Sequence, residues 1–197
     1  MKNFVTPDAL FASSLVGKGD AFVSEVDESD GSIARYEPTI AIVNNIEFDH
    51  ADIYRDLQEI KYQFSRLMNL VPGNGRLICG TDSPVVQEVL AEMDGKLFTN
   101  IETFGLNDEA KWQARYIDFS GDTTRFTVFK DGHSWSEFET NLIGEFNVRN
   151  CLAVMIAADA WGISREKIQE AFHTFKSVKR RVEIRGEVRC VTVIDDF

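Results

Sequence analysis

Two short apolar runs near the N-terminus constrain the fold more than any other part of the chain. The run at residues 21–23 leads into an acidic cluster that begins with Glu25, and the run at residues 39–43 leads into a polar stretch that closes with His50. Continuous apolar runs of this length are typical of parallel strands that are covered on both faces. Ligands of open parallel sheets bind at the carboxyl ends of the strands. The pattern therefore predicts two neighbouring strands that deliver Glu25 and His50 to one edge of a sheet.

Composition excludes several classes of protein. Hydrophobic residues make up 44% of the 197-residue chain, which is enough for a packed core. The net charge of −11 argues against nucleic acid or an anionic membrane as the main partner. The cysteines at positions 79, 151 and 190 have no metal-ligand spacing, so we expect reduced thiols. No apolar stretch is long enough to cross a bilayer and no signal peptide is recognisable, which predicts a cytoplasmic location.

The first half of the chain alternates between strand and helix patterns. Asp56 is a predicted N-cap of a helix whose apolar residues recur at helical spacing, and Pro72-Gly73 ends that helix. A strand at residues 76–79, a helix at 83–93 and a short strand at 96–99 follow. This alternation predicts an α/β fold, with a mostly parallel sheet flanked by helices.

The second half begins with a different pattern. Apolar and polar residues alternate within residues 111–140, and Asp131-Gly132 is a strong hairpin signal. These features predict a small antiparallel sheet beside the parallel one. A very apolar helix then ends at Gly162, Ser164 caps the next helix, and two short strands close the chain.

Glu25 and His50 are candidate ligands of a divalent cation. An acidic group at the end of an apolar strand is typical of Mg²⁺-binding carboxylates. One of the four carboxylates at positions 25, 27, 28 and 30 would be enough for that role. The alternatives are a solvated acidic loop and a structural histidine, because Mg²⁺ prefers oxygen ligands to imidazole.

Four residues in the second half are candidate nucleotide ligands. Asn147 and Asn150 lie three positions apart at a predicted helix start, so both amides face one way and could match an adenine edge. Arg181, in the basic cluster at residues 179–181, could clamp phosphate oxygens, and Asp196 could accept a hydrogen bond from a ribose hydroxyl. Helix capping, a solvated basic turn and a plain strand end are the alternative readings of these residues.

Taken in order, these motifs resemble those of the central, ATP-binding domain of the Mur ligases of peptidoglycan metabolism. The resemblance is carried by the acidic motif at residues 25–30, the segment at 45–50, the motif Gly144 to Asn150, Arg181 and Asp196. It implies that the first glutamate binds Mg²⁺, that the histidine reaches a second Mg²⁺, and that the two asparagines read adenine. It further implies an arginine near the phosphates of ATP and an aspartate near its ribose.

The resemblance implies a P-loop NTPase-like central domain over residues 20–197, truncated at both ends, after a poorly defined segment at residues 1–19. Two departures from the family pattern stand out. Phe146 occupies the place of a histidine that usually precedes the first asparagine, and the glycine-rich phosphate loop is missing, because Ala12 and Gly19 stand where that motif needs glycine and Ser or Thr. We therefore expect this chain to be inactive by itself.

The family's chemistry is ATP-dependent amide formation through an acyl phosphate. Segments 44–53, 71–78 and 178–188 resemble the branch that joins UDP-N-acetylmuramate to the murein tripeptide L-Ala-γ-D-Glu-meso-diaminopimelate, which implies these two partners. Residues 25–32 are more similar to the branch that adds L-alanine. A related ligase such as folylpolyglutamate synthase and a non-catalytic nucleotide-binding module of the same fold remain alternatives.

Overall fold

The computed structural model describes residues 17–29, 31–121, 123–175, 183–189 and 191–195. A 3-10 turn at Ser32–Arg35 precedes the regular elements. The strands are, in chain order, β1 (Ile40–Val43), β2 (Arg76–Gly80), β3 (Asn100–Gly105), β4 (Trp112–Asp118), β5 (Thr124–Lys130), β6 (His133–Thr140), β7 (Glu183–Val188) and β8 (Val191–Asp195). The helices are α1 (Leu57–Leu70), α2 (Pro84–Glu92), α3 (Glu145–Ala160) and α4 (Arg165–Thr174).

Six of the strands form one mixed sheet in the order β1-β2-β3-β4-β5-β6. Neighbours are parallel from β1 to β4 and antiparallel from β4 to β6, while β7 and β8 form a separate antiparallel pair. The predicted fold class is confirmed. The antiparallel strands of residues 111–140 extend the parallel sheet instead of standing apart from it, and the residues of their predicted hairpin turn, Asp131 and Gly132, both have positive φ, as a tight turn requires.

The parallel strand β2 is buried because helices cover the sheet on both faces at this position. Leu77 and Cys79 of β2 pack into one apolar cluster with residues of α1 and α2, whereas Ile78 points the other way into a second cluster with residues of α3. All three side chains are fully buried, which explains why β2 is a continuous apolar run. Among the described residues, every helix is too short or too polar to span a lipid bilayer.

The predicted cap of α1 is confirmed, whereas Ser164, predicted to cap the next helix, precedes α4 without a side-chain capping hydrogen bond. Asp56 caps α1 by accepting a hydrogen bond from the backbone nitrogen of Glu59 at 3.0 Å, and the Glu59 carboxylate accepts from the backbone nitrogen of Arg55. Ser83 accepts from Val86 at the start of α2. These side chains satisfy amides that have no partner within the first turn of a helix.

Two predicted strands are wrong. Residues 21–23 form no strand, and Phe22 and Val23 are each 90% exposed, because no neighbouring strand or helix in the described residues covers this short run. The strand predicted at residues 96–99 lies instead at Asn100–Gly105. Phe98, the apolar residue that suggested the earlier position, is 92% exposed.

Candidate functional site

The candidate site is built at the carboxyl edge of the parallel strands. The chain leaves β1 at Asn44 and passes so close to the end of β2 that a Cβ on Gly80 would lie 2.4 Å from the Asn44 carbonyl oxygen. Only glycine permits this approach without a shift of the backbone. The side chain of Asn44 then donates to Oδ1 of Asn150 on α3 at 3.2 Å. The polar exit of β1 and the start of α3 are thereby joined.

Three potential metal ligands, from the segments before and after β1, lie together. One ligand atom from each of Asp27, Glu28 and His50 lies within 4.8 Å of the other two, and Nε2 of His50 is 3.6 Å from Oε1 of Glu28. The side chains of Glu28 and His50 are each about one third exposed, so solvent and ions can reach them. Two carboxylates and an imidazole form a donor set that fits a divalent cation with mixed oxygen and nitrogen ligands.

Local hydrogen bonds hold the two halves of this group in place. Asp27 accepts from the backbone nitrogen of Ser29 at 2.7 Å, and hydrogen bonds from Ser29 hold the pKa of the Asp27 carboxyl below its ordinary value. The carboxylate is therefore ionised at neutral pH. His50 adopts a left-handed conformation with φ 53°, and its carbonyl accepts from the backbone nitrogens of Ile53 and Tyr54.

Tyr54 connects the two halves. Its backbone nitrogen donates to the carbonyl of His50 at 3.0 Å, and its hydroxyl donates to the carbonyl of Glu28. The side chain is only 5% exposed and packs in the cluster beneath α1 and α2. Sequence reasoning missed this residue. An aromatic residue four positions after His50 gave no signal that its hydroxyl reaches back to the acidic segment.

The predicted metal ligands are brought together only in part. His50 lies in the group, whereas Glu25 is exposed in a stretch without regular structure and is not one of the three grouped residues. The expectation that Glu25 stands at the tip of a strand next to β1 is wrong, because residues 21–23 form no strand. Its role in metal binding stays a prediction. Glu28, three residues later, holds the position near His50.

The two asparagines predicted to read adenine lie on one side of α3, as their spacing requires. Asn147 donates through Nδ2 to the carbonyl of Ile143 at 2.9 Å, and Asn150 accepts from Asn44 through Oδ1. An amide has both donors and acceptors, so Asn147 still presents Oδ1 and Asn150 still presents Nδ2. An acceptor and a donor are the two kinds of group that pair with the edge of an adenine base.

A groove of about 700 Å³ runs beside these amides between α3 and α4. Asn147 and Asn150 lie on its wall with mostly apolar neighbours, including Phe146 and Val154. The ring of Phe146 is half-exposed and folds back on Gly144, where an added Cβ would lie 2.7 Å from a ring carbon. The residue that departs from the family pattern is thus an aromatic surface next to the two amides.

A partly buried ion pair that the sequence did not reveal lies at the same edge. Oδ2 of Asp82, just after β2, is 2.5 Å from Nε of Arg149 on α3, although the residues are 67 positions apart. Asp82 also accepts from the backbone nitrogens of Leu106 and Asn107 after β3. Desolvation would raise the pKa of Asp82, but these hydrogen bonds outweigh it and hold the pKa below its ordinary value.

The remaining predicted site residues, Arg181 and Asp196, lie outside the described residues. Their predicted contacts with the phosphates and the ribose of ATP stay predictions.

Comparison with known proteins decides the family. A family model described as the Mur ligase middle domain matches residues 3–158. The chain belongs to the Mur ligase family. The resemblance inferred from the sequence motifs is therefore confirmed, and the polar edge of the sheet belongs to a Mur ligase middle domain.

Individual Mur ligases support this assignment. A UDP-N-acetylmuramate–L-alanine ligase from Anaeromyxobacter dehalogenans is 37% identical over 190 residues, which cover 96% of this chain and 41% of that protein. The crystal structure of a UDP-N-acetylmuramate:L-alanyl-γ-D-glutamyl-meso-diaminopimelate ligase from Neisseria meningitides is 35% identical, with a TM-score of 0.65, over 75% of this chain and 43% of that one.

A third Mur ligase shows the fold alone. The UDP-N-acetylmuramate–alanine ligase of Thermotoga maritima superimposes with a TM-score of 0.72 at 22% identity, over 87% of this chain and 37% of that one. The chain spans about two fifths of the length of the curated Mur ligases it matches.

Proposed function

We propose that this chain binds ATP and a divalent cation as the middle domain of a cytoplasmic ligase that joins an amino compound to UDP-N-acetylmuramate. One observation carries the proposal. The Asn44–Asn150 hydrogen bond joins the strand exit that leads to His50 with the helix start that presents Asn147 and Asn150. A nucleoside triphosphate requires one group that binds the cation on its phosphates and another that binds its base, both at one edge of the sheet.

The proposed reaction has two steps. The carboxylate of UDP-N-acetylmuramate attacks the γ-phosphorus of ATP, so that an acyl phosphate forms and ADP leaves. The amine of the second substrate then attacks the acyl carbon, an amide forms, and phosphate leaves. Neither step needs a covalent bond to the protein. Catalysis is therefore a matter of positioning and of stabilising negative charge.

Asp27, Glu28 and His50 would hold the cation, which would be Mg²⁺ in the cell. A bound divalent cation would neutralise charge on the transferred phosphoryl group. Asn147 would accept from the exocyclic amine of adenine, and Asn150 would donate to a ring nitrogen. Arg181 near the phosphates and Asp196 near the ribose complete the proposed nucleotide site.

The amino substrate we propose is the tripeptide L-Ala-γ-D-Glu-meso-diaminopimelate, on which the 35%-identical enzyme from Neisseria meningitides acts by its name. The resemblance of residues 44–53, 71–78 and 178–188 to that branch supports this choice. Free L-alanine is the second candidate, and the names of the curated relatives at 34–38% identity favour it.

One assay distinguishes these substrates. The full-length protein is incubated with ATP, Mg²⁺ and UDP-N-acetylmuramate, and the release of ADP is measured with tripeptide, with L-alanine and with no amine. Faster release with tripeptide, together with a product heavier by the tripeptide less water, supports the proposal. Preference for L-alanine supports the second candidate, and no ligation with either supports a non-catalytic module.

A metal titration tests the donor set separately. Mn²⁺ is the probe because its binding is read directly by electron paramagnetic resonance. We expect Glu28→Gln and His50→Ala to weaken Mn²⁺ binding by at least about tenfold, the scale of metal-site perturbations. Glu37→Gln, an exposed carboxylate outside the group, is the control. Glu25→Gln tests the ligand predicted from the sequence. If only this variant loses Mn²⁺ affinity, Glu28 is not a metal ligand.

A further inference from the structure

The Asp82 carboxylate ties together three separate parts of the sheet edge. It lies two residues after β2 and accepts from the backbone nitrogens of Leu106 and Asn107, which follow β3, and from Nδ2 of Asn107 at 2.8 Å. It also accepts from Arg149 on α3. Gly105 leaves room for this arrangement, because an added Cβ there would lie 2.7 Å from Oδ1 of Asp82.

Arg149 carries this connection to the proposed nucleotide amides. It lies between Asn147 and Asn150 in the first two turns of α3, and its side chain is one third exposed. Its Nε contacts Asp82, and its Nη2 lies 3.4 Å from Glu145 at the first residue of the same helix. The guanidinium therefore links the helix start to the sheet edge through one fixed carboxylate.

A helix start needs such an anchor here. Gly144, the residue before α3, has φ 104° and no side-chain capping hydrogen bond, so the helix begins without the usual local restraint. Besides the apolar packing of Val148, two polar contacts join this end to the sheet in the part of the chain that the structure describes: the Asn44–Asn150 hydrogen bond and the Asp82–Arg149 ion pair. The ion pair is the stronger of the two, because both partners are charged and partly desolvated.

We infer that Asp82 and Arg149 are positioning residues that set the place and angle of the Asn147 and Asn150 amides for the adenine base. The inference rests on the proposed nucleotide-binding function of α3. Neither residue contacts the reacting atoms in this assignment. Arg149 is paired with two carboxylates, Asp82 and Glu145, so it acts through the helix rather than as a phosphate ligand.

The test compares ATP binding with turnover in the full-length protein. Asp82→Asn keeps the shape of the side chain and removes its charge, and Arg149→Met removes the guanidinium but keeps the chain length. Arg149→Lys is the milder variant for the case in which Arg149→Met does not fold. Arg125→Met is the matched control, because it breaks an Arg–carboxylate pair of similar geometry, Arg125–Glu139 at 2.7 Å, on the β5–β6 hairpin.

A displaced adenine site should raise the KM for ATP by at least about tenfold, since a misplacement of about 1 Å is enough for such losses. We expect this change in Asp82→Asn and Arg149→Met, with kcat reduced less and Mn²⁺ binding unchanged. The KM for ATP of the double variant should be no higher than that of the more impaired single variant, because the two residues act as a unit. Hydrogen exchange at residues 145–150 should become faster in both variants and stay unchanged in Arg125→Met.

Three outcomes would overturn the inference. An unchanged KM for ATP in both variants means that the pair does not set the amides. A raised KM for ATP in Arg149→Met with an unchanged KM in Asp82→Asn means that Arg149 contacts the nucleotide itself. Unchanged exchange at residues 145–150 means that the helix start is held by other contacts. If the wild-type protein ligates nothing, the proposed reaction fails, and direct ATP binding with hydrogen exchange still decides the role of the pair.

Discussion

Replacing Gly80 by alanine should damage both the stability and the proposed site. The new Cβ would lie 2.4 Å from the carbonyl oxygen of Asn44, whereas ordinary van der Waals contact begins at 3.4 Å, so the overlap is 3.4 − 2.4 = 1.0 Å. The obstacle is backbone, which cannot rotate away as a side chain can. The exit of β1 must therefore move by about 1 Å, the scale at which misplaced groups lose activity.

The cost follows from this overlap. Inserting a methyl group into a closely packed site destabilises a protein by about 1–3 kcal/mol. For a domain of this size, each kcal/mol lowers Tm by about 2–4 °C. The Asn44–Asn150 hydrogen bond should weaken with the same shift, so ligation in the full-length protein should fall by about 10–100-fold.

The assay is urea unfolding at 25 °C, followed by tryptophan fluorescence, with Gly73→Ala as the control. A Cβ on Gly73 would lie 3.6 Å from the carbonyl oxygen of Phe98, an ordinary contact, so its free energy of unfolding should change by less than about 0.5 kcal/mol. If the two variants unfold at the same urea concentration and are equally active, the close approach of β1 to β2 does not constrain the site.

Three further outcomes are expected. Asp56→Ala should lower the free energy of unfolding by about 1 kcal/mol in urea titrations, because the first turn of α1 loses its cap; a change near zero would contradict this. Because the folded-state pKa of Asp82 is depressed, its ionised form stabilises the fold above the unfolded-state value of about 3.9. The difference in free energy of unfolding between wild type and Asp82→Asn should therefore be largest at neutral pH and shrink as acid protonates Asp82 in the folded protein. A difference that persists in acid would refute the stabilising role of the ionised carboxylate. Burial raises the pKa of Cys79 and Cys151 to about 12, so peptide mapping after alkylation at pH 8 should find both unlabelled in the folded protein and labelled in urea.

Elements with strong local signals could be predicted from the sequence. The helix α1 combines a capping residue, Asp56, with apolar residues at helical spacing, and β2 is a continuous apolar run because both of its faces are buried. The strand predicted at residues 21–23, which does not form, shows the limit of this reasoning. An apolar run becomes a strand only where a neighbour pairs with it, and hydrophobicity does not say which neighbour is present.

Polar residues inside β3 explain why its position was misjudged. Glu102 interrupts the apolar pattern, yet its carboxylate accepts from Nε1 of Trp112 at 2.9 Å and pairs with Lys111 at 3.0 Å. A charged residue is tolerated in the sheet because two partners satisfy it. Trp112 is the first residue of β4 and Lys111 precedes it, so the periodicity of β3 alone could not reveal the strand.

The candidate site divides in the same way. His50, Asn147 and Asn150 could be singled out as candidates because their residue types and spacing carry chemistry, and their roles stay predictions. The choice of Glu28 as the carboxylate beside His50 could not, since it depends on the hydroxyl of Tyr54 and on the turn around it. Long-range pairs such as Asp82 with a helix 67 positions later leave no pattern in the sequence.

The position of β1 at the end of the sheet has a practical consequence. Within the described residues, β1 pairs only with β2, and Ile42 on it is 39% exposed. A strand of this kind is a template on which another polypeptide can add by backbone hydrogen bonding. Concentrated samples of this chain alone should therefore self-associate through the unpaired edge of β1. Charged substitutions on this strand, or a partner that covers it, should improve solubility most.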